Sequence, residues 1–187
     1  MKNTIIYLIG FAGAGKYNVA KALAEKAKIT VIDNQLINNS IFVAVGADGV
    51  KPLHLGVWRE IAKIREAVLN AVTYISEPEE NFVFTNQLLD RDKIDEKYFK
   101  EIEYTALARQ ATFVPVRLTC EPTELLKRVV NEDRRIRLKL VSAEHLSNML
   151  ETHEILKVDH PNLLELDITN VAPQDAASKI LNHIENI

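Results

Sequence analysis

The stretch Gly10-Phe-Ala-Gly-Ala-Gly-Lys-Tyr17 follows an apolar run, residues 4–9, and precedes an Ala-rich run with helical character, residues 18–27. The order is therefore strand, glycine-rich turn and helix. The spacing G-x-x-x-x-G-K is typical of a loop whose backbone N–H groups surround a phosphate. Glycines permit the strained dihedrals of such a loop, and the following helix directs its unsatisfied N–H groups at the same point. We predict a nucleotide-phosphate site here.

The expected phosphate contacts come from the loop and the first turn of the helix. They are Gly10, Ala12, Gly13, Ala14, Gly15, Lys16, Tyr17 and Asn18. Lys16 is expected to reach the β- and γ-phosphates. The pattern requires Ser or Thr after the lysine, because that hydroxyl ligates Mg²⁺, and this chain has Tyr17 instead. We expect phosphate binding to survive this change and metal ligation to be weakened.

Composition favours one soluble globular domain that spans residues 1–187. Hydrophobic residues make up 47% and charged residues 26% of the chain, and the net charge is -3. Such a charge does not recruit nucleic acid or an anionic membrane. The start of the chain resembles a short signal peptide, but the charged helix that follows argues against one. We expect a cytoplasmic monomer or homodimer.

Apolar runs with strand character alternate with runs of helical period along the chain. The predicted strands are residues 4–9, 29–32, 81–85, 112–119 and 163–167, and the predicted helices are residues 18–27, 55–76, 90–111, 124–131, 142–157 and 173–184. Residues 35–48 are less clear, and Gly46, Gly49 and Pro52 indicate a break between two helical pieces. This alternation predicts an α/β fold, a three-layer sandwich in which helices cover both faces of a parallel sheet.

Polar residues stand where two predicted strands end. Asp33 follows the second strand, and Asn86 and Gln87 follow the third. Open α/β sheets bind ligands at the carboxyl ends of their strands, which makes Asp33 a candidate to hold a metal through water or to orient an acceptor hydroxyl. The alternative is a turn residue, because Asp is favoured in turns for its own hydrogen bonds.

An arginine-rich segment follows residue 131. Arg135, with Arg134 and Arg137 as rivals, is a candidate to neutralise a transferring phosphoryl group, since a guanidinium meets phosphate bidentately. The acidic residues Glu132 and Asp133 among them also fit a solvated helix end. The cluster is short, mixed in sign and without interleaved aromatics, so it does not predict nucleic-acid binding.

Together, the glycine-rich loop, the acidic end of the second strand and the arginine-rich segment resemble the small P-loop kinases. The resemblance is to the shikimate kinase-like group, and also to gluconate kinases and adenylate kinases. It extends over nearly the whole chain in element order, although few specific residues carry it. It implies a five-stranded parallel sheet in the order 2-3-1-4-5, an acceptor-binding helical region over residues 36–76 and a lid over residues 131–142.

The resemblance also implies roles for individual residues on the acceptor side. Asp33 would hold Mg²⁺ or the substrate hydroxyl. The sequence Trp58-Arg59-Glu60 is similar to an aromatic-Arg pattern whose arginine, here Arg59, meets the acceptor. Arg59 pairing with a glutamate on the helix surface is the alternative.

On the nucleotide side, the resemblance implies that two lid-associated arginines seven residues apart bind ATP. Arg128 would pack on the adenine, and Arg135 would swing onto the phosphates. A turn over residues 167–170 would lead to Pro173 beside the adenine.

Three departures from that group's pattern stand out. Tyr17 replaces the Ser or Thr, residues 85–87 replace a Gly-rich turn, and Arg135 is followed by Ile136 where the group has Pro. We therefore expect an acceptor other than shikimate, and Asn86 and Gln87 would hydrogen-bond a neutral one.

These observations predict an ATP-dependent phosphotransferase that uses Mg²⁺ and acts on a hydroxyl of a small polar metabolite. The alternative is a nucleotide-binding sensor or partner-binding protein without transferase activity, which the loss of the metal-binding hydroxyl at Tyr17 favours.

Overall fold

The computed structural model describes residues 1–48, 51 and 53–187. Gly49 and Pro52, two of the residues that predicted a break between helical pieces, lie outside these residues. The strands are β1 (Thr4–Ile9), β2 (Thr30–Asp33), β3 (Phe82–Asn86), β4 (Thr112–Thr119) and β5 (Leu164–Asp167). The helices are α1 (Lys16–Lys26), α2 (Asn34–Ala44), α3 (Gly56–Tyr74), α4 (Lys93–Ala108), α5 (Pro122–Val129), α6 (Glu132–Ile136), α7 (Ala143–Thr152) and α8 (Pro173–Glu185).

The five strands form one parallel sheet in the order β2-β3-β1-β4-β5, which confirms the predicted architecture. β1 is central, and all six of its residues are buried. Its continuous run of apolar and β-branched residues suits a strand that is covered on both faces. Ile6, for example, aligns with Val83 of β3 on one side and with Val114 of β4 on the other.

Each face of the sheet carries its own hydrophobic core. One core includes Leu23 of α1 and Ile180 of α8. The other core includes Ile61 of α3 and Phe99 of α4. The carboxyl ends of the parallel strands all point to the same edge, so the loops after β1, β2, β3 and β5 meet there.

The chain departs from the predicted helices in two places. The short helix α6 was not predicted. The helix predicted over residues 142–157 ends at Thr152, because the chain beyond it runs extended against residues 88–90. There Leu156 donates from its backbone to Leu88, and both Ile155 and Leu156 are buried. An extended segment buries these neighbouring apolar side chains better than another helical turn would.

Candidate active site

The loop between β1 and α1 has the backbone of an anion cradle. Gly13 has a φ of +87°, and a Cβ at this position would lie 2.8 Å from the carbonyl oxygen of Leu125. α1 begins at Lys16 after the left-handed Gly15, without a side-chain cap and without an acidic residue in its first turn. The first N–H groups of α1 are therefore left for an anion.

The Gln87 side chain holds the loop in place. Its Oε1 accepts a hydrogen bond of 2.8 Å from the backbone N–H of Ala12, and its Nε2 lies 3.0 Å from the Sδ of Met149. Gln87 was predicted to bind the acceptor. Because its amide already joins the loop to α7, the described contacts give it a supporting position, and Asn86 lies beside it in the lining of the cavity.

Lys16 lies folded back onto the loop. Its Nζ donates to the carbonyl oxygens of Gly10 and Phe11, at 2.6 and 2.9 Å. Desolvation lowers the pKa of Lys16 to about 7, and the positive charges of Arg134 and Lys139 add to this effect. Two cations of the predicted lid therefore lie close enough to act on the loop lysine, and the site favours negative charge.

Substitution of Lys16 by Met is expected to stabilise the ligand-free protein below about pH 7. The unfolded chain binds the lysine proton up to its ordinary pKa of 10.5, whereas the folded chain loses it near 7. Between these values the unfolded state holds more protons, so the wild-type free energy of unfolding rises with pH. The advantage of Lys16→Met should therefore shrink across that window, as urea titrations at several pH values would measure. Lys21→Met, an exposed change on the same helix, is the control. Parallel pH profiles for wild type and Lys16→Met would contradict the lowered pKa.

Asp33, at the carboxyl end of β2, is held on both of its oxygens. Oδ1 accepts a hydrogen bond of 2.5 Å from the hydroxyl of Thr85, and Oδ2 lies 2.8 Å from the ammonium of Lys139. Only 12% of the Asp33 side chain and 16% of the Lys139 side chain are exposed. The structure thus brings the strand-end carboxylate, the lid and the loop lysine together.

Two cationic side chains lie over the aromatic ring of Tyr17. The guanidinium carbon of Arg137 lies 3.9 Å from the ring centroid and the ammonium of Lys139 lies 4.9 Å from it. Both distances are within the range in which an aromatic face attracts a cation. The position that normally supplies a metal-binding hydroxyl therefore supports two positive charges.

These residues do not fit a directly coordinated magnesium ion. The short hydroxyl of a Ser or Thr next to the loop lysine is missing, and both oxygens of Asp33 are engaged. Among the described residues, no group of three or more His, Cys, Asp or Glu is arranged to hold a metal. Binding of Mg²⁺ by Asp33 through water stays a prediction, and it would require Lys139 to move.

The predicted lid, residues 131–142, places its arginines differently from one another. Arg134 donates from Nε to the carbonyl oxygen of Leu140 at 3.0 Å, and burial lowers its pKa. Both Arg134 and Arg137 line the cavity. Arg135 is exposed, and its Nε lies 3.9 Å from a carboxylate oxygen of Glu132. The structure therefore does not bring Arg135 to the other predicted catalytic residues, and its role stays a prediction.

Arg128 and Pro173 lie together on the nucleotide side. Arg128 donates to the carbonyl oxygen of Thr169 at 2.7 Å and to Glu124 at 2.9 Å. Asp167 holds Thr169 in place, because the Asp167 Oδ1 accepts a hydrogen bond of 2.8 Å from the backbone N–H of Thr169. Pro173 starts α8, and both Arg128 and Pro173 line the cavity. Arg128 and Pro173 therefore form part of the cavity wall where the adenine was predicted to bind.

The acceptor side contains a buried arginine that the sequence did not single out. Arg65 is only 6% exposed, its guanidinium carbon lies 3.5 Å from the centroid of the Tyr98 ring, and it lines the cavity. Its Nη1 has no hydrogen-bond partner among the described residues. Arg59, the predicted acceptor contact, is exposed, pairs with Glu60 and does not line the cavity.

Two asparagines of α2 also line the cavity. The Oδ1 atoms of these residues, Asn34 and Asn38, are buried and lack a partner within the described part of the chain. They are four residues apart and so lie on one face of the helix. Buried polar groups are normally hydrogen-bonded, so these two atoms and the Nη1 of Arg65 stand out among the residues around the cavity.

One cavity of about 1460 Å³ joins all of these parts. It extends from the loop past Asp33 and the lid to Arg65. Single-ligand pockets span about 300–1,000 Å³, so this volume suits two ligands side by side. None of the helices that the structure describes has the length and apolarity of a membrane span.

Comparisons with known proteins support the fold. No protein-family model matches the chain, and no curated protein matches it. A sugar kinase from Janibacter sp. HTCC2649 has a TM-score of 0.65 at 14% identity, with 98% of this chain and 95% of that chain covered. A gluconokinase from Sinorhizobium meliloti 1021 has a TM-score of 0.62 at 19% identity, with 98% and 93% covered. Shikimate kinase from Aquifex aeolicus has a TM-score of 0.54 at 14% identity, with 98% and 97% covered. The chain has the fold of the P-loop small-molecule kinases.

Proposed function

We propose that this protein is an ATP-dependent phosphotransferase that acts on a hydroxyl group of a small polar acceptor. One observation carries the proposal: a phosphate-type loop, a strand-end carboxylate and a buried arginine line a single cavity. The loop would hold the phosphates, Asp33 would meet the acceptor hydroxyl, and Arg65 would hold the other end of the acceptor. The kinase names of the structural neighbours agree with this assignment.

Phosphoryl transfer depends mainly on positioning and on neutralising charge. In the proposed reaction the acceptor oxygen forms the new bond to the γ-phosphorus while the bond to the β–γ bridging oxygen breaks, leaving ADP. Lys16 and the loop N–H groups would stabilise the charge on the phosphates. Arg134 lines the cavity and would stabilise the same phosphate charge. Arg135 is exposed and would contribute only after a movement of the predicted lid.

Asp33 is proposed to orient the acceptor hydroxyl and to accept its proton. A carboxylate in this role must lie within hydrogen-bond reach of the hydroxyl. Thr85 fixes one Asp33 oxygen, and the other faces Lys139. An acceptor hydroxyl would therefore enter beside Lys139, at the junction of the lid and β2.

Arg65 makes an acceptor with an anionic group the best fit, in place of the neutral acceptor that the sequence favoured. A guanidinium stays charged at physiological pH, and a buried charge is costly unless it is paired. Arg109 is an example of an arginine with a structural role, because its guanidinium donates hydrogen bonds to Val72, Ser76 and Glu77. The Nη1 of Arg65 is instead buried without a hydrogen-bond partner among the described residues. Asn34 and Asn38 would accept hydrogen bonds from hydroxyl groups of the same molecule.

Substitution of Arg65 by Met should raise the acceptor KM about 10- to 100-fold, the equivalent of one charge-assisted hydrogen bond. ATP binding should change little, because Arg65 belongs to α3 and not to the phosphate loop or the predicted lid. The comparison variant is Arg59→Met, on the exposed face of the same helix. If Arg59→Met raises the acceptor KM and Arg65→Met does not, the acceptor lies where the sequence placed it and not where we propose.

The proposed function is tested by measuring ADP release with a panel of small hydroxy acids, sugar acids and neutral polyols. Dependence of ADP release on one of the anionic compounds, with phosphate found on that compound, is the expected result. ADP release that no acceptor stimulates would contradict the proposal.

A nucleotide-binding sensor without transferase activity is the second candidate. The ring of Tyr17 under two cations and the pairing of Asp33 with Lys139 favour it. Tyr17→Ser separates the candidates. If the missing hydroxyl alone limits transfer, this variant should gain turnover, whereas a sensor should gain none.

A further inference from the structure

Lys139 lies where a phosphate-binding loop of this kind usually brings a metal ion. Its ammonium pairs with Asp33 at 2.8 Å and lies 4.9 Å from the ring centroid of Tyr17, the residue that replaces the metal-binding hydroxyl. Its charge also acts on Lys16. The Lys139 ammonium therefore contacts Asp33 and Tyr17, which stand at the two positions expected to serve a magnesium ion. It also lies near Lys16, the lysine expected to bind phosphate.

We propose that Lys139 takes the place of the metal ion, so that the protein binds nucleoside triphosphate without Mg²⁺. The inference rests on the proposed function in one respect, namely that the loop receives nucleotide phosphates. It goes beyond that function because it assigns a built-in cation to a site where the sequence predicted a metal.

The charges that line the cavity are suited to this role. Lys16, Arg134, Arg137 and Lys139 line the cavity, and so do the carboxylates Asp33, Asp133 and Glu144. The charges that act on Lys16 are those of Arg134, Lys139 and Asp33. A lysine ammonium has three donors. It can keep its contact with Asp33 and donate to a phosphate oxygen at the same time.

Tyr17 has a defined task in this arrangement. Its aromatic face attracts Arg137 and Lys139, a contact that Ser or Thr would not provide. The contact places the charged groups of Arg137 and Lys139 beside the first turn of α1. The replacement of a hydroxyl by a phenol ring and the use of a lysine in place of the metal are therefore two parts of one change.

The test is calorimetric titration of ATP into the full-length protein, once with excess EDTA and once with Mg²⁺. The wild type should bind ATP in EDTA with a Kd within about threefold of its value in Mg²⁺, an energy difference well under 1 kcal/mol. Lys139→Met should weaken binding in EDTA about 10- to 100-fold, by loss of a charge-assisted hydrogen bond. Added Mg²⁺ should restore part of the affinity of this variant.

Two further variants keep the result interpretable. Lys139→Arg preserves the charge and should keep binding in EDTA, so a loss in Lys139→Met alone is not a folding defect. Lys97→Met, an exposed change on α4 outside the cavity lining, should match the wild type. Thermal unfolding of each variant checks that it is folded.

Different outcomes overturn different statements. ATP binding that requires Mg²⁺ in the wild type, or EDTA binding that Lys139→Met leaves intact, overturns this inference and leaves the proposed phosphotransferase standing. No ATP binding in either condition overturns both. Metal-independent binding without acceptor turnover supports this inference and sinks the proposed transfer reaction.

Discussion

Lys16→Met is expected to raise the Kd for ATP about 100-fold or more, the usual cost of removing one partner of a buried charge pair. Turnover at saturating ATP should fall about 100- to 1,000-fold, as when one donor to developing charge is removed. The reason is geometric. The Lys16 Nζ now rests on the carbonyl oxygens of Gly10 and Phe11, and phosphate would give it an anionic partner in the same loop.

The stability of this variant makes the result unambiguous. Lys16 is desolvated and lies near Arg134 and Lys139, so the ligand-free protein should become more stable when the charge is removed. A variant that is more stable and binds less ATP cannot owe its loss to unfolding. Calorimetry with Lys21→Met as the control measures the effect, and wild-type affinity in Lys16→Met would show that the loop does not hold nucleotide phosphates.

Local pattern accounts for most of the fold. The buried strand before residue 10, the glycine-rich turn and the amphipathic runs after it were sufficient to predict a parallel sheet with two helical layers. α6 was missed because its five residues, Glu132–Ile136, are all polar or charged except one. Such a segment has no apolar period. The early end of α7 was missed because it depends on pairing with residues 88–90, which are distant in sequence.

The candidate site shows the same limit at the level of single residues. Arg65 stands in the buried series Val57, Ile61, Arg65 and Leu69, so a charged residue in an apolar stripe was the available signal. The apolar stripe could not show that the guanidinium of Arg65 packs on the ring of Tyr98 on α4. Lys139 carried no comparable signal, because its pairing with Asp33 spans 106 residues.

The choice of Arg135 among the arginines of the predicted lid stays a prediction, because spacing alone does not fix which side chain faces the cavity. Arg135 was favoured because it follows Arg128 by seven residues. In a helix, neighbouring residues point about 100° apart, so a one-residue shift decides which side chain faces the cavity. Here Arg134 lines it and Arg135 does not. Arg134→Met and Arg135→Met test the choice, because the larger loss of kcat identifies the arginine that reaches the phosphates.

Asp33→Asn is expected to lower kcat about 100- to 10,000-fold, the range attributed to general acid–base catalysis. Asn keeps the shape of Asp and can still accept a hydrogen bond from Thr85, but it cannot take up the acceptor proton. It also cannot form an ion pair with Lys139. ATP binding should therefore persist, and the loss should fall on kcat and not on the Kd for ATP.

Asp167→Asn provides the matched comparison, because Asp167 is also a carboxylate at the end of a strand. Its Oδ1 accepts hydrogen bonds from the backbone and hydroxyl of Thr169, at 2.8 and 2.6 Å, and so holds a turn. Its loss should lower the Tm and affect nucleotide affinity, with kcat retained. Steady-state kinetics of the two variants distinguish the roles. Equal losses of kcat would mean that Asp33 only shapes the end of β2, and the proposed transfer reaction would then lack its base.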